Sequence, residues 1–568
     1  MRGKFSKMKP RALNKLMVIV VAAIVVIAGV GIYLWQLSTP TPTTTTTTST
    51  TTSSPTTTTT TTSTTTTTTI IPTTTTTTTG PKKVLRIGIG TDADTLDTAG
   101  QTTTTINNIV SFVCEPLTFY DEKGNMIYWL AESHSISPDG LQVTMKLKKN
   151  IKFQDGTPFN AAAVKFTFDR LLNPQVKVPN RNLLAALNTT EVVDEYTVRF
   201  NLKFAYAPFI RAISMFYIIS PTQYAILGED NMARNLYNLG TGPLKFKEWV
   251  KGDKMVFVKF DEYWGGPISV DEVVFKVIPE AQTREAMLLS GDLDMILSPP
   301  PTDVSKLSGT PGVKVVVADS TRVMTVNLYT AKGPFSNVKV RQAVNYAVDK
   351  EAIIKNIVFG LGTISDAPVP PSFFGYAHNE PYEYNVEKAK KLLAEAGYPN
   401  GFTCKMMVPT GRYLFDRQVG EAIQSYLSKV GITVELFTPD WPTFVSQLLG
   451  ASPTNSTWDM TFVGYAMTVP DADTMLYPTM HSSQWAPGKF NTMIYKNEKV
   501  DLLLDQARRE VDSDKRLSMY AEAQKEIWND CPWIFLYVQK FIVAHSDKVS
   551  GLVIYPYETF DIRTVKIS

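Results

Sequence analysis

Residues 130–170 read LAESHSISPDGLQVTMKLKKNIKFQDGTPFNAAAVKFTFDR, and no other part of the chain is more informative about its architecture. Inside this stretch, SPDG at 137–140 is a turn, because Pro, Asp and Gly each favour turn conformations. Val143, Met145 and Leu147 then alternate with polar residues, as in a strand with one buried face. The stretch therefore contributes a turn and a strand to the fold.

Strand and helix patterns continue on both sides of this stretch. Asn385 and Gly397 enclose an apolar helical pattern and suit its N-cap and the position just after its C-terminus. Strands mixed with helices across the 488 residues from 81 to 568 predict an α/β architecture in two or three lobes. The other candidates are strands at 84–89, 255–260 and 273–278 and helices at 415–430 and 500–529.

Length and charge limit the function classes. A chain of 568 residues is too long for one hydrophobic core, so two or more domains are expected. Six basic residues and no acid lie within residues 1–15, whereas residues 81–568 hold 50 basic and 53 acidic residues. A nucleic-acid binder needs a basic surface on its folded part, and this charge distribution therefore argues against a nucleic-acid partner.

Catalytic and metal-binding motifs are missing from the sequence. There is no GxSxG, P-loop, HExxH or dinucleotide fingerprint, and the four histidines lie far apart in the chain. Cys114, Cys404 and Cys531 form no CxxC pair, and we expect three buried thiols. The sequence therefore predicts a protein without catalytic residues, metal or cofactor.

The N-terminal segment predicts a membrane anchor. Leu16 to Trp35 is uncharged over 20 residues, and a helix of that length spans ~30 Å, the thickness of a bilayer core. The basic cluster precedes it, so the positive-inside rule places residues 1–15 in the cytoplasm and the folded part outside the cell. Cleavage of a signal peptide is the alternative, since Arg11-Ala12 before Leu13 weakly resembles an archaeal pilin-like processing site.

A threonine-rich linker follows the anchor. Residues 39–79 contain 31 threonines among 41 residues, with Ser and Pro making up most of the remainder. No core forms from this composition, and dense Thr with Pro is typical of O-glycosylated stalks. The linker is expected to tether the folded part to the cell membrane while holding it away from the surface.

Six stretches, taken in order along the chain, resemble family 5 extracellular solute-binding proteins. These are the oligopeptide-, dipeptide- and nickel-binding components of ABC importers, and the resemblance covers nearly all of residues 81–568. Together with the N-terminal segment, the chain is similar to an archaeal-like, membrane-anchored form. The six stretches are residues 130–170, GTGPLKFKEW (240–249), DEYWGG (261–266), PFSNVKVRQAVNYAVDKEAI (334–353), EKAKKLLAEAGYPNGF (387–402) and CPWIFLY (531–537).

The resemblance implies a two-lobed periplasmic-binding-protein-like α/β fold of the large type, with an extra subdomain. The ligand would lie between the lobes, the partners would be ABC permease subunits, and no catalysis is implied. The implied domains are a cytoplasmic basic segment with the anchor (1–37), the linker (38–80), lobe I (81–322, with the subdomain at about 121–210), lobe II (323–539) and a C-terminal return to lobe I (540–568).

The family's cleft residues carry over onto this chain. The spacing from Asp97 to Leu117 matches the family without gaps and places residues 102–105 on a loop lining the cleft. Trp441 and Tyr465 match aromatic residues of the peptide-binding members and are expected in loops, as is the TGRY segment at 410–413. The implied ligand-binding residues are Thr102, Thr104, Arg412, Tyr413, Trp441, Gly464, Tyr465, Thr468 and Asp471.

One position departs from the peptide-binding members. They carry an aspartate three residues after the aromatic that Tyr465 matches, and it pairs with the peptide's amino group, whereas this chain has Thr468. A buried ammonium without a carboxylate is costly, so either Asp471 or Asp473 takes over this role or the ligand lacks that group. Oligopeptide capture is the first expectation and oligosaccharide capture the alternative. A cell-surface hydrolase is less favoured.

Overall fold

Strands and helices are mixed along the whole computed structural model, which describes residues 82–100, 103–439 and 441–568. The α/β architecture predicted from the sequence is confirmed. The predicted anchor and the threonine-rich linker lie outside the described residues, and so does Thr102 of the predicted site. Among the described residues, no helix combines the length and the apolar character needed to cross a bilayer.

The strands follow the alternating apolar patterns of the sequence. The three strands predicted at 84–89, 255–260 and 273–278 are present, each within one residue of its predicted ends. In the described part of the chain the strands are β1 Val84–Ile89, β2 Thr118–Tyr120, β3 Met126–Tyr128, β4 Ala131–Ile136, β5 Gln142–Leu147, β6 Leu187–Asp194, β7 Thr197–Leu202, β8 Leu244–Val250, β9 Lys254–Lys259, β10 Glu272–Val277, β11 Met295–Leu297, β12 Val313–Leu328, β13 Gly362–Ile364, β14 Thr403–Met407, β15 Thr433–Phe437, β16 Met460–Tyr465, β17 Trp533–Ser546, β18 Val549–Ser550, β19 Val553–Tyr555, β20 Thr559–Asp561 and β21 Lys566–Ile567.

Capping residues set the helix ends. The Asn385 side chain accepts a hydrogen bond from the backbone N–H of Lys388 at 2.9 Å, as expected for an N-cap. The prediction of a single helix at 500–529 is wrong. Asp512 caps a second helix N-terminus inside this segment, which therefore forms two helices. The described α-helices are α1 Thr104–Ser111, α2 Ala161–Leu172, α3 Phe209–Ala212, α4 Pro221–Leu227, α5 Glu229–Met232, α6 Ala281–Ser290, α7 Val304–Ser308, α8 Val338–Ala347, α9 Lys350–Asn356, α10 Val386–Glu395, α11 Asp416–Ser428, α12 Trp441–Leu449, α13 Ala472–Met480, α14 Glu498–Ala507 and α15 Ser513–Asp530.

Two long antiparallel strands, β12 and β17, join the halves of one mixed sheet. The strand order is β15-β14-β16-β12-β17-β11-β1-β10-β9-β8. Strand β16 pairs with the C-terminal half of β12, whereas β11 pairs with the C-terminal end of β17. The register of the β12–β17 pair is interrupted between Asp319 and Val323, midway along both strands. Both long strands therefore cross from one half of the sheet to the other, and their pairing is irregular at this crossing.

The hydrophobic core is divided in the same way. One cluster lies around β1 and β8–β10, and a second fills the space between the β4–β7 sheet and α2. Two further clusters cover the half of the sheet that contains β14–β16. Cys114, Cys404 and Cys531 are free and buried in these cores, which confirms the prediction of three buried thiols.

Candidate ligand-binding site

Four of the predicted site residues come together at one end of β16. The rings of Tyr413 and Trp441 meet edge to face at 6.2 Å. The Arg412 guanidinium lies over both rings, 5.3 Å from the Tyr413 centroid and 5.1 Å from that of Trp441. The Tyr413 hydroxyl donates a hydrogen bond to the carbonyl oxygen of Gly464 at 3.3 Å. We call Arg412, Tyr413 and Trp441 the arginine–aromatic cluster.

Local sequence features hold this cluster in place. The buried Asp416 carboxylate accepts hydrogen bonds from the backbone N–H groups of Arg412 and Tyr413, at 2.8 and 3.2 Å, and so fixes the turn before α11. Gly464 leaves room for the neighbouring ring, since a Cβ there would lie 2.6 Å from Met324 Sδ and 2.9 Å from the Tyr413 ring. A glycine at this position is therefore a packing requirement of the site.

Among the described residues, the positive charge of Arg412 is not matched by a carboxylate. In the described parts of the chain, no carboxylate lies within ion-pair distance of its guanidinium, and the side chain remains exposed. Arg322 lies nearby but is paired with Glu558 through two bonds of 2.9 and 2.7 Å. Partial desolvation lowers the pKa of Arg412, and the Arg322 cation lowers it further, although a guanidinium remains protonated at any physiological pH. The cluster is therefore suited to binding an anion.

The expectation that Trp441 and Tyr465 lie in loops is wrong. Trp441 is the first residue of α12, half-buried and stacked on Phe444 at 5.3 Å. Tyr465 ends β16, is 8% exposed and stacks on Trp533 at 5.2 Å. Burial raises the pKa of Tyr465 to about 12. Polar neighbours in the sequence suggested loops, but the apolar faces of the helix and strand around these residues determined their positions.

A small cavity of about 30 Å³ lies between Thr468 and residues of α1, β2 and β20. Its wall includes Asn107 of α1 and Thr559 of β20, together with the phenol rings of Tyr120 and Tyr557. The prediction of a loop at 102–105 is wrong for its second half, because Thr104 begins α1, the helix that brings Asn107 to this cavity. Asn107 and Thr559 were not predicted from the sequence. Their elements, α1 and β20, are joined by a hydrogen bond between Asn108 and Phe560, which lie 452 positions apart in the chain. No local sequence pattern connects positions so far apart.

Asp471 faces arginines rather than open space. Its carboxylate is fully buried and accepts two hydrogen bonds from Arg516, at 2.9 and 2.6 Å, while Arg211 lies 3.6 Å away. Asp473 is likewise buried, at 2.9 Å from Arg508 and hydrogen-bonded by the Tyr206 hydroxyl at 3.0 Å. Both carboxylates therefore belong to a buried ionic network that connects residues 206–211 with α13, α14 and α15.

A divided mixed sheet whose halves are joined by two long strands matches the fold of solute-binding proteins of the periplasmic type. The chain belongs to the family of bacterial extracellular solute-binding proteins, family 5, whose middle-region model matches residues 125–487. Members of this family are binding proteins and not enzymes, and they serve ABC importers.

Relatives support this membership over most of the chain. The glutathione-binding protein GsiB of Pectobacterium atrosepticum is 30% identical over 485 residues, which cover 85% of this chain and 94% of the relative. The peptide-complexed DppA of Helicobacter pylori is 28% identical with a TM-score of 0.71, covering 85% and 98% of the two chains. The protein AgaA of A. tumefaciens R10, bound to agropinic acid, is 30% identical with a TM-score of 0.70, covering 85% and 99%.

Proposed function

We propose that the chain captures a peptide-type ligand with a free carboxylate and delivers it to the permease subunits of an ABC importer. The observation that carries this proposal is the Arg412 guanidinium, which is oriented by two aromatic rings and has no carboxylate partner among the described residues. The planar fork of arginine matches a carboxylate bidentately. Relatives named for glutathione and crystallised with peptide STSA support a peptide-type ligand.

We also propose that this ligand lies between two lobes that close around it. Lobe I is formed by residues 81–322 and 540–568, with a subdomain at about 121–210, and lobe II by residues 323–539. The interrupted register of the β12–β17 pair supports a hinge at this crossing, because an irregular ladder resists bending less than a regular one. The arginine–aromatic cluster belongs to lobe II, and the cavity wall around α1 belongs to lobe I.

The charge of the site favours this ligand over the alternatives. A neutral oligosaccharide stacks on Trp441 but leaves the Arg412 cation without a partner of opposite charge. A hydrolase acting on glycosides needs two carboxylates that face the substrate. Asp471 and Asp473 do not fulfil this role, since arginines enclose both of them.

Arg412→Gln is expected to weaken binding of the preferred peptide acid by about 2 kcal/mol, roughly 30-fold in Kd, because a charge-assisted pair is lost. Calorimetry with a peptide panel that includes glutathione measures this change. Arg417→Gln is the matched control, since Arg417 is exposed and its one ion pair within the described part of the chain is with Glu421 on the same helix. Equal affinities for the wild type and Arg412→Gln would contradict the proposed carboxylate site.

We further propose that residues 16–35 anchor the chain in the cell membrane with the folded part outside. Six basic residues precede a 20-residue uncharged segment, and this asymmetry supports that orientation. Protease added to intact cells is expected to release a large fragment that begins within or after the threonine-rich linker. A folded part that remains protected until the cells are lysed would contradict this orientation.

A further inference from the structure

Two buried polar side chains, Asn107 and Thr559, each with one oxygen that lacks a hydrogen-bond partner among the described residues, line the cavity beside Thr468. Asn107 and Thr559 are 9% and 7% exposed, and neither Asn107 Oδ1 nor Thr559 Oγ1 has a partner among the described residues. Thr468, three residues after the end of β16, is half-buried and lines the same cavity. Buried polar atoms in folded proteins are nearly always hydrogen-bonded, so these atoms indicate a site for a polar group that comes from outside.

The remaining polar groups around the cavity are already engaged. The Tyr120 hydroxyl donates to the carbonyl oxygen of Arg211 at 2.7 Å. The Tyr557 hydroxyl lies 2.9 Å from the carbonyl oxygens of both Tyr120 and Asp121. Burial raises the pKa values of both phenols, so these hydroxyls remain neutral. Asn107 and the two threonines are therefore the groups that can recognise a ligand here.

No carboxylate lines the cavity among the described residues. Asp471, three residues after Thr468, is approached by Arg516 and Arg211, which supply two positive charges against its single negative one. Asp561, two residues after Thr559, does not line the cavity and is paired with Arg563 at 2.8 Å. An ammonium group has three donors and no acceptor, and it would enter this cavity without a counter-charge at a large desolvation cost.

We propose that this cavity receives a neutral amide, and that the preferred ligand is a peptide acid whose amino end is blocked by acylation or by lactam formation. This inference rests on the proposed function, with the ligand carboxylate at Arg412. An amide N–H donates to Asn107 Oδ1, and its carbonyl accepts from the hydroxyls of Thr468 and Thr559, so both kinds of partner are used. A volume of about 30 Å³ suits such an end group, since one water occupies a site of roughly half that size.

The test compares matched peptides on the purified full chain by calorimetry. Each peptide is measured with a free amino end and with an N-acetyl end, and glutathione is included. We expect the acetylated form to bind at least tenfold tighter than its free counterpart. Equal or tighter binding of the free form would overturn the inference while leaving the carboxylate site intact. If neither form of any peptide binds, the proposed function fails and this inference falls with it.

Two variants test the cavity itself. Thr468→Asp places a carboxylate beside Asn107, and it is expected to reverse the preference, with at least tenfold tighter binding of the free peptide than of the acetylated one. Thr468→Val removes the hydroxyl alone and is expected to weaken the acetylated peptide several-fold without any gain for the free form. Thr454→Asp, in an exposed turn, is the control and should change neither affinity. An unchanged preference in folded Thr468→Asp would overturn the assignment of this cavity.

Discussion

Asp471→Asn is expected to lower the free energy of unfolding by about 3–5 kcal/mol, which is the usual cost of removing one partner from a buried ion pair. The Asp471 side chain is fully buried and that of Arg516 is 6% exposed, so the arginine would be left charged and desolvated. Burial by itself lowers the pKa of Arg516, but Asp471 more than offsets this effect and the pKa is raised. Equilibrium unfolding in denaturant measures the change.

The same substitution separates two roles for Asp471. If this carboxylate anchors a ligand's amino group, Asp471→Asn abolishes binding and leaves stability near that of the wild type. If it is structural, stability falls. Asp261→Asn serves as the control, because the Asp261 side chain is 85% exposed and its pair with Lys259 lies at the surface. Exposed pairs contribute about 0–1 kcal/mol, so this control should unfold close to the wild type.

Glu115→Gln is expected to cost about 3 kcal/mol or more of stability, because it leaves at least one buried donor without an acceptor. One oxygen of Glu115 accepts from Trp129 Nε1 and the Tyr263 hydroxyl at 2.9 and 2.8 Å. The other accepts from Trp264 Nε1 and the Thr241 hydroxyl at 2.7 and 2.8 Å. If either oxygen is replaced by the amide nitrogen of Gln, an indole N–H points at that nitrogen. Both groups are then hydrogen-bond donors, and an indole N–H cannot act as an acceptor.

Glu262→Gln is the matched control for this experiment. Glu262 directly precedes Tyr263 in the chain, but its side chain is 71% exposed and lies 3.7 Å from Lys152 at the surface. It should change stability by no more than a few tenths of a kcal/mol. A Glu115→Gln protein as stable as the control would show that the carboxylate is not the acceptor on which these four donor groups depend.

Local patterns in the sequence predicted the elements whose ends are set locally. The helix after Asn385 followed from one capping side chain, and Gly397, with φ of +90°, follows its last turn. The break in the predicted 500–529 helix depends on Asp512, which also has a capping side chain but lies inside an apolar pattern that continues past it. Periodicity alone does not distinguish a long helix from two short ones that share a buried face.

The site was predictable only where the chain resembles its family. Arg412, Tyr413, Trp441 and Gly464 were assigned together by resemblance, and the structure brings them together. The partners of Asp471 and Asp473 were not predictable, because Tyr206 and Asp473 are 267 positions apart. Such contacts arise when separate cores pack against each other, and no periodic pattern in the sequence encodes them.

The solute that remains bound to the purified full chain tests the central claim most directly. Gentle purification followed by native mass spectrometry gives the mass of the complex, and fragmentation of the released solute identifies its functional groups. We expect a peptide-type molecule with a free carboxylate, lost from Arg412→Gln and retained by Arg417→Gln. A neutral sugar, or any solute without a carboxylate, held equally by both variants would contradict it.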